Sequence, residues 1–206
     1  MNRTVKSPAA RYREIVSAAR GLFQEKSYET ATIRDIMTRV GVAKGTIYHY
    51  FDSKKDLLEA VIEQMVDEYV AGMQAVLGEA QGNALDRLRA LIAAGDVRDE
   101  HAEELEYLHR AGNIGMHTRQ LAVTISQLAP LYATVIRQGC DEGLFQTEHP
   151  LECAEFLLAG VQFLTDMGVY PWKQAELLRR AQALPALIEA QLQAPKGSFD
   201  FLLERF

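Results

Sequence analysis

Residues 32–51, TIRDIMTRVGVAKGTIYHYF, place two short amphipathic segments on either side of a glycine, and their reading decides the fold. Thr32 stands where a side chain caps a helix, and Asp35 three residues later makes a capping box with Asp in place of Glu. Ile33, Ile36, Met37 and Val40 then recur at helical spacing as one core face, while Arg34, Thr38 and Arg39 point elsewhere. Gly41 offers the left-handed residue that stops such a helix. After Val42 a third helix must begin, and steps of about 100° per residue put Ala43, Ile47 and Phe51 on one core-facing arc. Gly45, Tyr48 and His49 lie roughly opposite, Lys44 and Thr46 on the flanks, and Tyr50 near the core edge.

Upstream, residues 10–26 read as a supporting helix with Ile15, Ala18, Ala19, Leu22 and Phe23 in one buried stripe. Helix, glycine-containing turn and helix, preceded by a third, is the spacing of a helix-turn-helix, whose second helix enters the major groove of DNA. The chemistry suits that reading. A glycine on the outer face lets the backbone approach the groove; Lys44 reaches a guanine edge or a phosphate; the hydroxyls of Thr46 and Tyr48 donate to phosphate oxygens. Lys54 and Lys55 add charge where the next helix starts.

Charge placement agrees. The 206-residue chain has a net charge of −6, yet residues 1–60 hold 11 Lys+Arg against 7 Asp+Glu and the remainder 11 against 21. That split separates a basic module that meets a polyanion from an acidic body that does not. With 48% hydrophobic and 24% charged residues the chain is an ordinary globular one, so disorder and collagen-like structure are excluded. No apolar run reaches the roughly 18 residues of a membrane span. The opening MNRTVKSPAARYRE has no apolar signal segment, so the expected location is the cytoplasm. Cys140 and Cys153 are too far apart for a CxxC pair and read as idle thiols. Helical periodicity throughout, with no alternating β-branched run, makes the expected class all-α.

The longer run TIRDIMTRVGVAKGTIYHYFDSKKDLLEAVI, residues 32–62, resembles the DNA-binding region of the TetR/AcrR family of bacterial repressors. The resemblance covers about residues 10–62. It rests on Thr32, the Gly41–Val42 turn, the run from Lys44 to Tyr48, Phe51, and the Ser53, Lys54 and Leu57 that open the next helix. It implies that Thr32, Thr46 and Lys54 contact phosphates, that Tyr48 contacts a phosphate or a base, and that Arg34 and Lys44 read base edges. Gly45, His49 and Tyr50 complete the expected DNA-facing set, with His49 alternatively a bystander and Tyr50 alternatively a packing residue. Members often carry Ser where this chain has Ala43, so the serine cap of the recognition helix is missing here.

The resemblance also implies the organisation: residues 1–54 a three-helix helix-turn-helix head, residues 55–206 a helical ligand-binding and dimerisation body. A long helix from Ser53 to about Gly78 carries Leu57, Val61, Met65 and Tyr69 in one row and Leu58, Ile62, Val66, Val70 and Met73 in another, and in the family it links head to body. Further helices are expected near 84–97, 101–111, 118–142, 150–169 and 173–193. The last two form the dimer in the family, which gives Phe156, Ala159, Gly160, Phe163, Leu177, Leu184 and Ile188 as interface candidates. Pro185 is expected to bend or split the final helix, and the tail KGSFDFLLERF to add a packing element. An apolar pocket with a few polar groups would draw on Tyr69, Met73, Tyr107, Met116, Tyr132, Phe163, Asp166 and Tyr170, each also a plausible core residue.

An enzyme reading would recruit His101, His109 and His117 with Glu104 or Glu106 as metal ligands. Their eight-residue spacing drifts by about 80° per step on a helix, so they do not converge. No GxSxG, HExxH, Walker or GxGxxG pattern is present. The expectation is an effector-responsive repressor that binds a palindromic double-stranded DNA operator as a homodimer and is released by a small molecule, that is not an enzyme, and that uses no cofactor, metal or membrane. An activator or co-regulator of the same fold, or a helical adaptor without operator specificity, is the alternative.

Overall fold

The computed structural model describes residues 7–95, 114–166 and 169–205. Among them are eight α-helices and no strand: α1 (Pro8–Lys26), α2 (Ile33–Val40), α3 (Lys44–Tyr50), α4 (Lys54–Glu79), α5 (Ala84–Ala94), α6 (Ile114–Asp141), α7 (Pro150–Thr165) and α8 (Gln174–Leu192). A short 3-10 helix, Asp200–Arg205, follows. The all-α expectation holds, and the helix expected at 101–111 lies outside the described residues.

The described residues fall into two compact units. The first holds α1 to α3, α4 as far as Asp67, and α6 as far as Gln120; the second holds the rest. In the first unit, Ser7 caps α1 by accepting from the Ala10 N–H at 3.3 Å, and Pro8 supplies a φ already suited to a first helical turn. The buried stripe of α1 is Ile15, Val16, Ala19, Leu22 and Phe23; Ala18 sits half-buried at its edge and Val16 falls inside it. Both apolar rows of α4 turn inward, with Leu57, Val61 and Ile62 fully buried and Tyr69 half-buried. Arg119 near the start of α6 donates from Nε to Glu59 of α4 at 2.8 Å.

In the second unit a capping box of Asn83 and Asp86 opens α5, and the Ala84 N–H donates to Glu142 at 2.8 Å. Gln138 bridges Glu142 and Arg87, and Arg87 also reaches the Leu77 carbonyl, so the ends of α4, α5 and α6 are tied by one hydrogen-bonded chain. These bonds hold the Glu142 carboxyl below its ordinary pKa, the Ala84 N–H contributing most. Gly139 leaves room for the buried ring of Phe145, which occupies the space a side chain there would need.

Two expectations about the C-terminal part meet different outcomes. Helix α8 is continuous from Gln174 to Leu192 and is not split at Pro185. Proline removes one N–H from the ladder, and here Pro185 is buried in the same row as Ala181, Ile188 and Leu192, so the packing of that row keeps the residues on either side of it in helical backbone. The tail does add a packing element. Phe199, Phe201 and Leu202 are buried, Phe199 stacks on Phe145 with centroids 6.2 Å apart, and Glu189 accepts the N–H groups of Gly197 and Phe199 at 2.7 and 3.2 Å.

Candidate nucleic-acid interface

Helix α2 is closed on itself. Thr32 accepts from the Asp35 N–H at 3.2 Å, while Asp35 accepts from the Thr32 N–H at 2.9 Å and from its hydroxyl at 2.8 Å. The bonds from Thr32, then that from Lys26 at 3.0 Å, lower the Asp35 carboxyl to about 2. Arg39 clasps Glu25 of α1 with two bonds of 2.8 and 2.6 Å. Gly41 ends the helix at φ 70°, its N–H on the Met37 carbonyl, as the left-handed stop requires. As placed, the Thr32 hydroxyl proton is committed to Asp35. Arg34 remains exposed, its backbone carbonyl accepting from the Thr38 hydroxyl and its side chain making no hydrogen bond or ion pair among the described residues.

Helix α3 is organised the other way. Ile47 is fully buried and Phe51 is 4% exposed, so the inner face is as expected at these two positions. Ala43 is a correction: it is exposed rather than part of that face. It is the N-cap, with extended backbone (φ −74°, ψ 157°), so the helical rotation does not yet apply to it, and its side chain caps nothing. On the outer side Lys44, Gly45 and His49 are exposed, Tyr48 is 42% exposed and Thr46 is half-buried. Among the described residues no side chain of Lys44, Thr46, Tyr48 or His49 makes a hydrogen bond or ion pair; Lys44 lies over the Tyr48 ring at 5.4 Å. A methyl group added at Gly45 would meet nothing within 4 Å, so the protein's own packing does not demand glycine there.

Tyr50 is half-buried, edge-on to Tyr12 of α1 at 6.3 Å, and Tyr12 covers Phe51 at 5.1 Å. His49 stays exposed with its ring 5.0 Å from that of Tyr50. Lys54, at the start of α4, is half-buried. Its ammonium lies 4.3 Å over the Tyr28 ring and donates to the Glu29 carbonyl at 3.3 Å. Desolvation pushes its pKa down from the usual lysine value, partly opposed by the negative charge of Glu29. Sequence reading missed Tyr12 and Tyr28. Tyr12 is an aromatic ring on α1 next to its buried stripe and Tyr28 one just past its C-terminus, and such a ring beside an apolar row is the signal that it covers a neighbour.

The first 47 residues of matched sequence, 15–61, fit the model described as bacterial regulatory proteins, tetR family, and residues 97–186 fit that of a tetracyclin repressor-like C-terminal domain. An HTH-type transcriptional repressor of Mycobacterium tuberculosis is 30% identical over 176 residues, spanning 82% of this chain and 90% of that protein. The chain belongs to the TetR family. The repressor KstR2 of the same organism is 25% identical over 152 residues, 72% of this chain and 76% of its own. Among solved structures, a TetR-family regulator from Pectobacterium atrosepticum superposes with a TM-score of 0.64 over 92% of this chain and all of that one, at 20% identity.

As a TetR-family member the chain is a transcriptional regulator, and the matched families are not enzymes. Among the described residues no helix is long and apolar enough to cross a membrane and no group of His, Cys, Asp and Glu could hold a metal ion. His117 is buried in the first unit; His101 and His109 lie outside the described residues.

The candidates in the TetR-family body are spread. Met73 is buried; Tyr69, Tyr132, Phe163 and Asp166 are half-buried, and all of these belong to the second unit. Met116 is buried in the first unit, and Tyr107 lies outside the described residues. Tyr170 is exposed and stacks on Trp172 at 5.0 Å, with the Arg180 guanidinium 3.5 Å from the indole. A depression of about 270 Å³ is lined by Leu178, Ala181, Gln182 and Leu203, none of them a pocket candidate. Of the dimer candidates, Phe156 is 68% exposed, Ala159, Gly160, Phe163, Leu177 and Leu184 are half-buried, and Ile188 is 8% exposed and belongs to the interior of its own protomer.

Proposed function

We propose that this TetR-family regulator is a repressor that binds a two-fold DNA operator as a homodimer, with α3 in the major groove, and is released by a small-molecule effector. The observation that carries the DNA reading is the outer side of α3, where Gly45 and His49 stand opposite fully buried Ile47, with Lys44, Thr46 and Tyr48 flanking them, and the side chains of Lys44, Thr46, Tyr48 and His49 make no hydrogen bond among the described residues. Such groups supply phosphate and base-edge contacts. Arg34 joins them from α2 and Lys54 from α4. Thr32 is assigned to capping first and to phosphate second, since its hydroxyl is already bonded to Asp35. Tyr50 is assigned to packing on Tyr12.

Homodimerisation is supported by exposed Phe156 and Leu187 on the last two helices, apolar groups of the size that anchors subunit interfaces. The effector acts by population shift. A ligand that binds one arrangement of the body better changes the spacing of the two heads, and the half-sites no longer match.

The test starts from a duplex selected out of random-sequence DNA by the protein. Lys44→Ala and Tyr48→Ala are each expected to weaken binding by about 1–3 kcal/mol and to leave the dimer intact. Unchanged affinity in both would sink the assignment of this face. Affinity should also fall steeply with salt as phosphates are neutralised, whereas a flat salt profile favours an adaptor. Transcription from a promoter carrying the selected site separates repressor from activator.

A further inference from the structure

The Tyr28 ring and the Glu29 carbonyl hold the Lys54 ammonium from two sides, and the ring is itself held from the core. Tyr28 stands edge-on to fully buried Phe23, with centroids 5.3 Å apart and planes at 85°. The loop that carries it is closed by the Ala31 N–H on the Ser27 carbonyl at 3.1 Å, with Ala31 buried. Lys54 Nζ at 4.3 Å from the ring centroid is within the range in which the negative face of an aromatic ring attracts a cation. The ammonium has three N–H donors, and the bond to Glu29 uses one.

A lysine at a helix start is a flexible four-carbon stem with a charge at its tip, and fixing it on DNA costs side-chain entropy. Here much of that ordering exists before DNA arrives, while two donors remain for a phosphate oxygen. We propose that Tyr28 is a positioning residue for operator binding: its ring, fixed by Phe23, sets the Lys54 ammonium in place for the DNA backbone. The proposal rests on the reading of Lys54 as a phosphate contact, and on that reading the loop between α1 and α2 contributes to affinity without touching DNA.

The test uses the full chain and the duplex selected from random-sequence DNA, titrated at several salt concentrations. Lys54→Met is expected to weaken binding and to reduce the slope of log K against log salt by about 0.9, the share of one phosphate. Tyr28→Leu should weaken binding roughly three- to tenfold, the scale of a partly desolvated cation–ring contact. In the Lys54→Met background the same change should have no further effect, and Tyr28→Phe, which keeps the ring face, should bind like the wild type.

Equal losses from Tyr28→Leu in both backgrounds would show a purely structural role and overturn the positioning proposal while the phosphate contact stands. An unchanged affinity and slope in Lys54→Met would overturn the phosphate contact and the proposal with it. Trifluorophenylalanine at position 28 keeps the ring shape but weakens its negative face, so it serves even if Tyr28→Leu does not fold. Binding weaker than that of Tyr28→Phe is expected, and equal binding overturns the proposal.

Discussion

Helices α2 and α3 are neighbours of nearly equal length, but they spend their polar groups in opposite ways. In α2, Thr32 and Asp35 close a reciprocal cap, Thr38 returns its hydroxyl to the backbone and Arg39 is clasped by Glu25. In α3 the N-cap side chain makes no bond, and Lys44, Thr46, Tyr48 and His49 hold none of their side-chain hydrogen-bonding capacity against the described protein. A helix whose polar groups are used within the protein, as those of α2 are apart from exposed Arg34, is a scaffold. One that keeps them open while burying Ile47 presents them to a partner, and phosphates and base edges match what is presented.

The largest effect that would test this contrast lies on the inner side of α3. Ile47→Ala removes a fully buried side chain and is expected to cost about 2–5 kcal/mol of stability, read from thermal or denaturant unfolding. Lys44→Ala, three residues away and exposed, should leave the unfolding midpoint within error while DNA affinity falls. If the two variants lost stability alike, the division of α3 into a holding face and a reading face would fail.

A middle-sized effect is expected at the cap of α2. Thr32→Ala removes the acceptor for the Asp35 N–H and the hydroxyl on its carboxylate, at a cost of about 1 kcal/mol. The same cap titrates. Asp35 is lowered in the folded state from an ordinary 3.8 to about 2, so its contribution is fully present above pH 4 or so and is lost as the pH falls through about 2. Unfolding of Asp35→Asn measured between pH 5 and pH 2 should therefore show a shallower loss of stability with acid than the wild type. Parallel pH profiles would mean that the cap carries no charge-dependent stability.

The head was legible in the sequence because its signals are local. A capping residue, an αL glycine and a 3.6-residue apolar row each act within a few positions, and Thr32, Gly41, Ile36 and Ile47 are placed by the structure as those signals imply. Ala43 was misread because a periodicity argument has no knowledge of where helical backbone begins; the residue sits one position before it. Lys54 and Tyr28 meet across 26 positions, a tertiary contact that no pattern announces. The body was less legible for the same reason. A single row of apolar residues in α7 contains both Cys153, buried, and Phe156, exposed, because core and subunit interfaces draw on the same residue types. Pro185 shows the converse: a local rule predicts a bend or a split, and burial of its row keeps the helix from splitting.

The smallest expected effect asks whether α3 merely lacks what α2 has. Ala43→Ser offers a hydroxyl at the N-cap. The Thr46 N–H that it would reach already bonds the Ala43 carbonyl at 2.9 Å. In α2 the corresponding Asp35 N–H is shared between the Thr32 carbonyl at 3.0 Å and the Thr32 hydroxyl at 3.2 Å, so a shared bond is geometrically available. Because the donor is already partly satisfied, the gain should be near the low end of the capping range, about 0.5 kcal/mol, seen as a small rise in the unfolding midpoint. If operator affinity stays constant while the midpoint rises, the open N-cap is only a local deficit of the helix. If affinity falls as the midpoint rises, the unspent N-terminal groups of α3 belong to the DNA-facing set, and the contrast with α2 extends from side chains to backbone.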